Sequence, residues 1–333
     1  MLTFIKILGP SIGVVAIAPL AGYLCEYGFG GGWPSVFYTT GAIGLVWTAG
    51  WFFFITDKPA EHPTITEEER TYIEESCQAE DHDVSLKALP IKAMLSSTAL
   101  WAFVVAHFCF NWNYYTVLIC LSTYLSDVLH LPPSMNGVVT SLPYIAIFLT
   151  TIISALVADT LTKQCCSTTT IRKVYYISGM CFSSGALILI SFLGCDIVLI
   201  VCILCFAVGS IGIAQNGCLV NNVDIAPNYA GILMGISNSI GSIPGIVSPM
   251  LTGSIINNSS TVDTWRTVFY IATGFSAFGS TFFAVFGQGK VQEWAKAPPP
   301  PALHRQWSRS GSRSRTLSKE HKLSISLIQK QEK

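Results

Sequence analysis

Charged side chains are scarce in this sequence. Asp, Glu, Lys and Arg make up 11% of its 333 residues against 51% hydrophobic residues, where soluble domains carry about 25% charge. So little charge leaves almost nothing to present to water, which excludes an ordinary soluble enzyme. Net charge is lacking too: nineteen basic residues balance nineteen acidic ones, and that excludes a strongly basic nucleic-acid binder. The eleven cysteines lie mostly in apolar runs with no paired spacing, so neither a disulfide scaffold nor a zinc module is expected. Cys202-x-x-Cys205 sits inside an apolar run without ligand partners, and Cys165-Cys166 stands at a membrane edge, where an acyl group could be attached. No glycine-rich phosphate loop and no nucleophile–base pair stands out, so hydrolysis and ATP-driven pumping find no support, and no cofactor is expected.

Long apolar stretches, by contrast, are abundant. About 20 residues at 1.5 Å rise cross the ~30 Å hydrocarbon core of a bilayer, and eight stretches qualify, near 7–25, 34–55, 100–125, 136–158, 174–193, 196–219, 230–256 and 267–286. Lys and Arg resist translocation and collect in cytoplasmic loops. With Lys6 inside, eighteen of the nineteen basic residues fall on one side and Arg266 stands alone on the other. Both termini are therefore expected in the cytoplasm. Asn257 and Asn258 then occupy an outside loop, where each heads an N-glycosylation acceptor.

The 56–99 segment is the long internal loop, and Thr66-Glu67-Glu68-Glu69 within it has the spacing that caps a helix start, so a surface helix is expected over 67–77. After Pro298 to Pro301 comes a Ser/Arg run, Ser308 to Ser318, a composition that cannot bury enough apolar area to order itself. The tail from 291 to 333 is accordingly expected to be disordered.

Trp33-Pro34-Ser35-Val36-Phe37-Tyr38 opens the second span and Trp265-Arg266-Thr267-Val268-Phe269-Tyr270 opens the eighth, sharing W-x-x-V-F-Y. The helix before each carries a late proline, Pro19 and Pro249. The first hairpin thus recurs as the last, six spans later and in the same orientation, as in transporters built from two parallel halves. Two complete units require twelve helices, so four are expected ahead of Met1.

Several separate stretches resemble the anion:cation symporters of the major facilitator superfamily, solute-carrier family 17. These are Pro19-Leu20-Ala21-Gly22, the Trp33–Tyr38 stretch, His62-Pro63, Thr66 to Ile73, Ser141-Leu142-Pro143, Thr170-Ile171-Arg172-Lys173 and, most specifically, Asp224 to Asn238. Ala106 to Trp112 is similar to the sialin-like branch. The resemblance implies an all-α membrane protein of the major facilitator fold, its eight transmembrane helices corresponding to helices 5–12 of twelve. Residues 1–55 would be the last two helices of the N-terminal half, 56–99 the cytoplasmic inter-half loop, 100–290 the six-helix C-terminal half, and 291–333 a basic tail.

His107, Asn111 and Tyr115 follow one another at i, i+4 and i+8 and so share one helix face at mid-membrane depth, with Ser122 near its far end. Polar groups there face either a transport path or a neighbouring helix that satisfies them. Histidine could in addition exchange a proton. A site-lining tyrosine of the family falls at Tyr115, and Phe110 replaces an arginine of the vesicular glutamate transporters, which argues against glutamate-type recognition. Asn216, Asn221, Asn222 and Asn238 are further candidates for the substrate and proton path, Asn222 standing where family members commonly have histidine. Asp159, Lys163, Arg172 and Lys173 resemble the superfamily's cytoplasmic gate loop, in which acid and base pair across the halves. Asp224, before Pro227, is expected to organise that gate.

The expectation is secondary active transport, H+ or Na+ coupled, of a small anion: sialic acid, an acidic sugar, phosphate, urate or an acidic amino acid. The membrane would be lysosomal, vesicular or plasma membrane, and the bilayer the one extended partner. Eight helices alone would leave one face of the cavity open, so the chain by itself is not expected to transport. The alternative is a non-transporting isoform that associates with a full-length sibling and modifies it.

Overall fold

The computed structural model describes residues 2–56, 59–78, 89–164, 166–193, 196–257 and 259–296. The elements of the described residues are α1 (Leu2–Tyr27), α2 (Trp33–Phe54), α3 (Glu67–Gln78), α4 (Ile91–Leu95), α5 (Thr98–Asp127), α6 (Pro133–Gln164), α7 (Thr168–Ile190), α8 (Ile197–Cys218), α9 (Asn221–Ile225), α10 (Ala230–Gly241), α11 (Ile243–Ile256) and α12 (Val262–Phe286). They form one compact unit that ends at Ala295, and of the second unit, Lys296–Lys333, only Lys296 is described.

Eight segments are long and apolar enough to cross a membrane, with α8–α9 and α10–α11 each counting as one interrupted span. Their order follows the hydropathy of the sequence, but their ends do not. α6 runs on to Gln164 and α7 begins at Thr168, so Asp159, Lys163, Arg172 and Lys173 belong to helices and not to a loop from 159 to 173. A helix whose apolar stretch ends at the interface can continue into water, because its backbone bonds are internal. What separates these two is Ser167, whose hydroxyl accepts from Thr170 N–H at 3.2 Å and so starts α7. α3 matches its expected range, its first turn held by the 3.3 Å bond from Glu69 N–H to Thr66 Oγ1.

In a bilayer, apolar side chains gain little by leaving lipid for one another, so helices associate where small residues allow close packing and where polar groups bond across. α5 is an axis of the bundle: α8, α10, α11 and α12 pack around it, burying Leu100, Phe103 and Leu125. α7 lies against α8 where Gly179 and Gly217 bring the two backbones together. α1 lies against α6, Gly22 meeting Gly137 backbone to backbone. Glu26 adds a tie there, accepting the Ser134 N–H at 3.1 Å in the first turn of α6, where the helix dipole favours an anion. α2 leans on α1 and otherwise exposes Trp47, Trp51, Phe52, Phe53 and Phe54, with Ser35 its buried residue.

The last described segment departs from expectation. Residues 291–295 do not belong to an unstructured tail: Gln292 N–H bonds Ile225 carbonyl at 2.9 Å, Glu293–Ala295 form a 3-10 turn, and Ala295 is buried. Composition misses this because the contacts, a backbone bond to Ile225 and the Trp294 ring on Tyr229, are made to residues more than 60 positions away in sequence. Residues 297–333, with the Ser/Arg run, lie outside the described residues, as do Cys165 and Asn258.

Candidate functional site

A ladder of polar contacts joins α5 to the interrupted span α10–α11. Pro244 has no N–H to offer the Ile240 carbonyl, and Gly245 N–H turns to Ser242 carbonyl at 3.0 Å, so the helix breaks between Gly241 and Ile243. The Gly241 carbonyl is thereby left without its usual i+4 donor. Asn111 supplies one, its Nδ2 donating at 2.7 Å. One turn away, His107 Nδ1 and Ser237 Oγ share a hydrogen bond of 2.6 Å, and the His107 ring lies over Phe103 at 5.9 Å. One turn further, the Tyr115 ring covers Gly245, where a Cβ would stand 3.3 Å from it. Thr116 Oγ1 and Ser248 Oγ close the ladder at 2.6 Å.

The structure thus brings His107, Asn111 and Tyr115 onto one face and gives the first two a helix partner. His107 and Asn111 are 3% and 8% exposed, while Tyr115 stays partly open. Neither Ser237, Gly241 nor Ser248 was singled out from sequence. Their spacing of four and seven residues carries a signal, small residues in register with the polar face of α5, but that signal exists only once the two helices are known to be neighbours. Phe110 is buried and stacks on Tyr114 at 6.0 Å.

Removal of the Asn111 amide is expected to show the worth of this carbonyl bond. Interhelical hydrogen bonds in membranes average about 0.6 and reach about 1.7 kcal/mol, and the stranded carbonyl adds to that. Asn111→Ala should therefore cost about 1–2 kcal/mol, read as a melting temperature about 2–6 °C lower in detergent. An unchanged melting temperature would mean that Gly241 finds another donor.

The remaining asparagines serve different ends. Asn216 Nδ2 donates to Thr151 carbonyl at 2.8 Å and to Ser154 Oγ at 2.7 Å, tying α8 to α6. Asn222 Nδ2 donates to Ala230 carbonyl at 3.1 Å, bridging α9 to α10. Asn221 is fully buried, with neither amide atom hydrogen-bonded among the described residues. Asn238 is exposed on a face of α10 turned from the ladder, beside exposed Ser239 and Ser242.

At the end of the bundle that carries most basic residues, hereafter the basic end, Arg172 forms a fork. Its Nε donates to Asp224 Oδ2 at 2.6 Å, its second terminal nitrogen to Oδ1 at 3.3 Å, and the first to Asn216 carbonyl at 2.9 Å. The pair is largely buried, at 15% and 17% side-chain exposure, and it joins α7 to α9, with no group of α1 or α2 in it. Lys173 Nζ donates to Ala284 carbonyl at 2.7 Å. Asp159 and Lys163 are exposed on the last turns of α6, so Arg172 and Asp224 are brought together and Asp159 is not.

At the far end, Arg266 bonds the Ser191 carbonyl and Asp263 Oδ1, each at 2.5 Å. Asn257 is exposed at the C-terminal cap of α11, five residues before α12. Among the described residues, no three His, Cys, Asp or Glu side chains converge as a metal would require.

Comparison with known proteins agrees with this architecture. A family model described as the Major Facilitator Superfamily matches residues 6–249. Human sialin is 39% identical over 288 residues, 86% of this chain and 57% of sialin. A putative inorganic phosphate cotransporter of Drosophila melanogaster is 36% identical over 289 residues, 86% of this chain and 54% of the relative. Human vesicular glutamate transporter 2 is 38% identical over 291 residues, 86% and 49% of the two chains. The chain therefore spans about half to three-fifths of the length of these relatives.

Proposed function

The chain belongs to the major facilitator superfamily, a family of transporters and not enzymes, with sialin, phosphate cotransporters and vesicular glutamate transporters as its relatives, and from that premise we propose that it serves secondary active transport of a small anion, coupled to H+ or Na+. The observation that carries this reading is the exposed polar face of the broken span. Asn238 lies about 17 Å along the span that starts at Pro227, at 1.5 Å per residue. Asn238 is exposed there while the adjoining face of the same helix, at Ser237 and Gly241, is satisfied by α5. A polar group at that depth is stable facing water or protein and costly facing lipid, so this face lines a hydrated path. Tyr115, partly open on α5, is the second lining group.

Substrate follows from chemistry only in class. Sialic acid and acidic sugars lead, through the likeness to sialin, with phosphate and acidic amino acids behind. Phe110 presents no cation to a second carboxylate, which places glutamate last. Both termini face the cytoplasm in this reading, since eighteen of nineteen basic residues then remain there, and Asn257 and Asn258 face the opposite side as glycan acceptors. The second reading, a partner that modifies a full-length sibling, is favoured by α2, which packs on α1 and leaves Trp47, Trp51, Phe52, Phe53 and Phe54 exposed among the described residues.

Uptake of labelled sialic acid, phosphate and glutamate into proteoliposomes, under imposed H+ or Na+ gradients, separates the two. Uptake by the chain alone above protein-free liposomes establishes the first reading and overturns the expectation that these eight helices do not transport by themselves. No uptake alone, but altered uptake when it is co-reconstituted with full-length sialin, establishes the second. No uptake and no effect on the relative overturns both.

A further inference from the structure

α12 ends at Gly287, where the backbone turns extended, and the chain then runs beneath the basic end. Three anchors hold it. Gly289 N–H donates to Thr169 Oγ1 at 2.9 Å in the first turn of α7. Gln292 N–H donates to Ile225 carbonyl at 2.9 Å at the end of α9. Trp294 packs on Tyr229 with ring centroids 6.2 Å apart, and Ala295 behind it is 1% exposed. The Gln292 side chain braces the segment internally through Gln288 and the Lys290 carbonyl.

These anchors flank the Arg172–Asp224 pair. Thr169 precedes Arg172 by one turn, and Ile225 follows Asp224 directly. Tyr229 closes the short turn Pro227–Tyr229 that leads into α10, beyond the interruption at Ala226, whose φ of −154° and ψ of 77° leave the helical region. Two short helices meeting at a non-helical residue have few internal backbone bonds to resist bending, and the segment bridges that junction from outside. One of its contacts is incomplete: the Trp294 indole N–H is buried without an acceptor among the described residues, which weakens the docked form.

We propose that Gly287–Ala295 is a releasable clasp that fixes the α9–α10 junction against α7. Docked, it holds the entry to α10; undocked, it lets that junction bend while the spans stay packed. The inference holds whichever solute is carried, and independently of whether the chain transports alone.

Hydrogen exchange on the purified full chain in nanodiscs tests it with two variants. Gly289→Ala places a methyl 2.8 Å from Thr169 N and 3.0 Å from the Thr168 carbonyl carbon, backbone atoms that cannot yield. Trp294→Ala removes the ring contact and leaves the backbone bonds. Both are expected to speed exchange at least tenfold in 287–295 and in 221–230, with α5 within about twofold of the parent, since locally opened amides exchange by local opening. Faster exchange in 287–295 alone shows a segment that merely rests on the bundle and overturns the proposal. Faster exchange throughout, α5 included, overturns it as general destabilisation. Parent-like exchange of 287–295 in both variants overturns it too, because Gly289 and Trp294 then do not hold the segment.

Discussion

Arg172→Ala is expected to lower the melting temperature of the detergent-purified protein by about 5–10 °C. Removing one partner of a fully buried ion pair costs about 3–5 kcal/mol and of an exposed one about 0–1 kcal/mol. The 15% and 17% exposures of Arg172 and Asp224 place this pair near the buried limit, at about 2–4 kcal/mol. Loss of the Asn216 carbonyl bond adds to it. Arg172→Lys should recover only part, because an ammonium cannot grip Asp224 through two nitrogens while bonding the carbonyl. Asp224→Ala should be similarly costly, and the double variant little worse than either single one, because each single change strands a charge that the double change removes. Thermal unfolding of the four proteins decides the matter. Additive losses would show that the fork contributes no coupling between α7 and α9.

Gly217→Val is expected to abolish the monodisperse peak in size-exclusion chromatography, and Gly217→Ala to destabilise by about 1–3 kcal/mol. A Cβ there would stand 2.4 Å from Tyr176 N, 2.9 Å from Tyr176 Cα and 2.7 Å from the Arg172 carbonyl oxygen, all backbone of α7. The strain cannot relax through a rotamer, so α7 and α8 must part. Tyr176 moves with them. It is fully buried and donates from its hydroxyl to Ala106 carbonyl at 2.9 Å on α5, so displacement at Gly217 reaches the axis of the bundle. Gly185→Ala is the control, since a Cβ at that position meets nothing within 4 Å. It should be neutral or stabilise by up to about 1 kcal/mol through helix propensity. Equal behaviour of the two alanine variants would refute close backbone contact as the reason for glycine at 217.

Legibility differed between spans and site for identifiable reasons. The eight spans could be placed because a bilayer demands about 20 apolar residues in a row, a constraint satisfied within each segment alone. The common face of His107, Asn111 and Tyr115 was equally readable, since helical periodicity is local. What that face touches was not. Ser237 lies 130 residues from His107 and Gly241 the same distance from Asn111, and no local rule links them. The gate carried a subtler difficulty. Asp159 stands nearer in sequence to Arg172 than Asp224 does, yet Asp159 is exposed on α6 while the α8–α9 turn returns Asp224 to Arg172, 52 residues on. Interfacial turns of helices are polar, so hydropathy marks where a span leaves lipid but not where its helix stops.

Sequence by itself determined that this is a multi-pass helical membrane protein and which residues would lie at mid-depth, because periodicity and solvent match are properties of single segments. Tertiary structure alone decided which of those residues are already satisfied. His107 and Asn111 are committed to α10, Arg172 to Asp224, and Asn238 is left open, because a hydrogen bond or a glycine contact needs two backbones at a set distance and only the packing of the helices sets it.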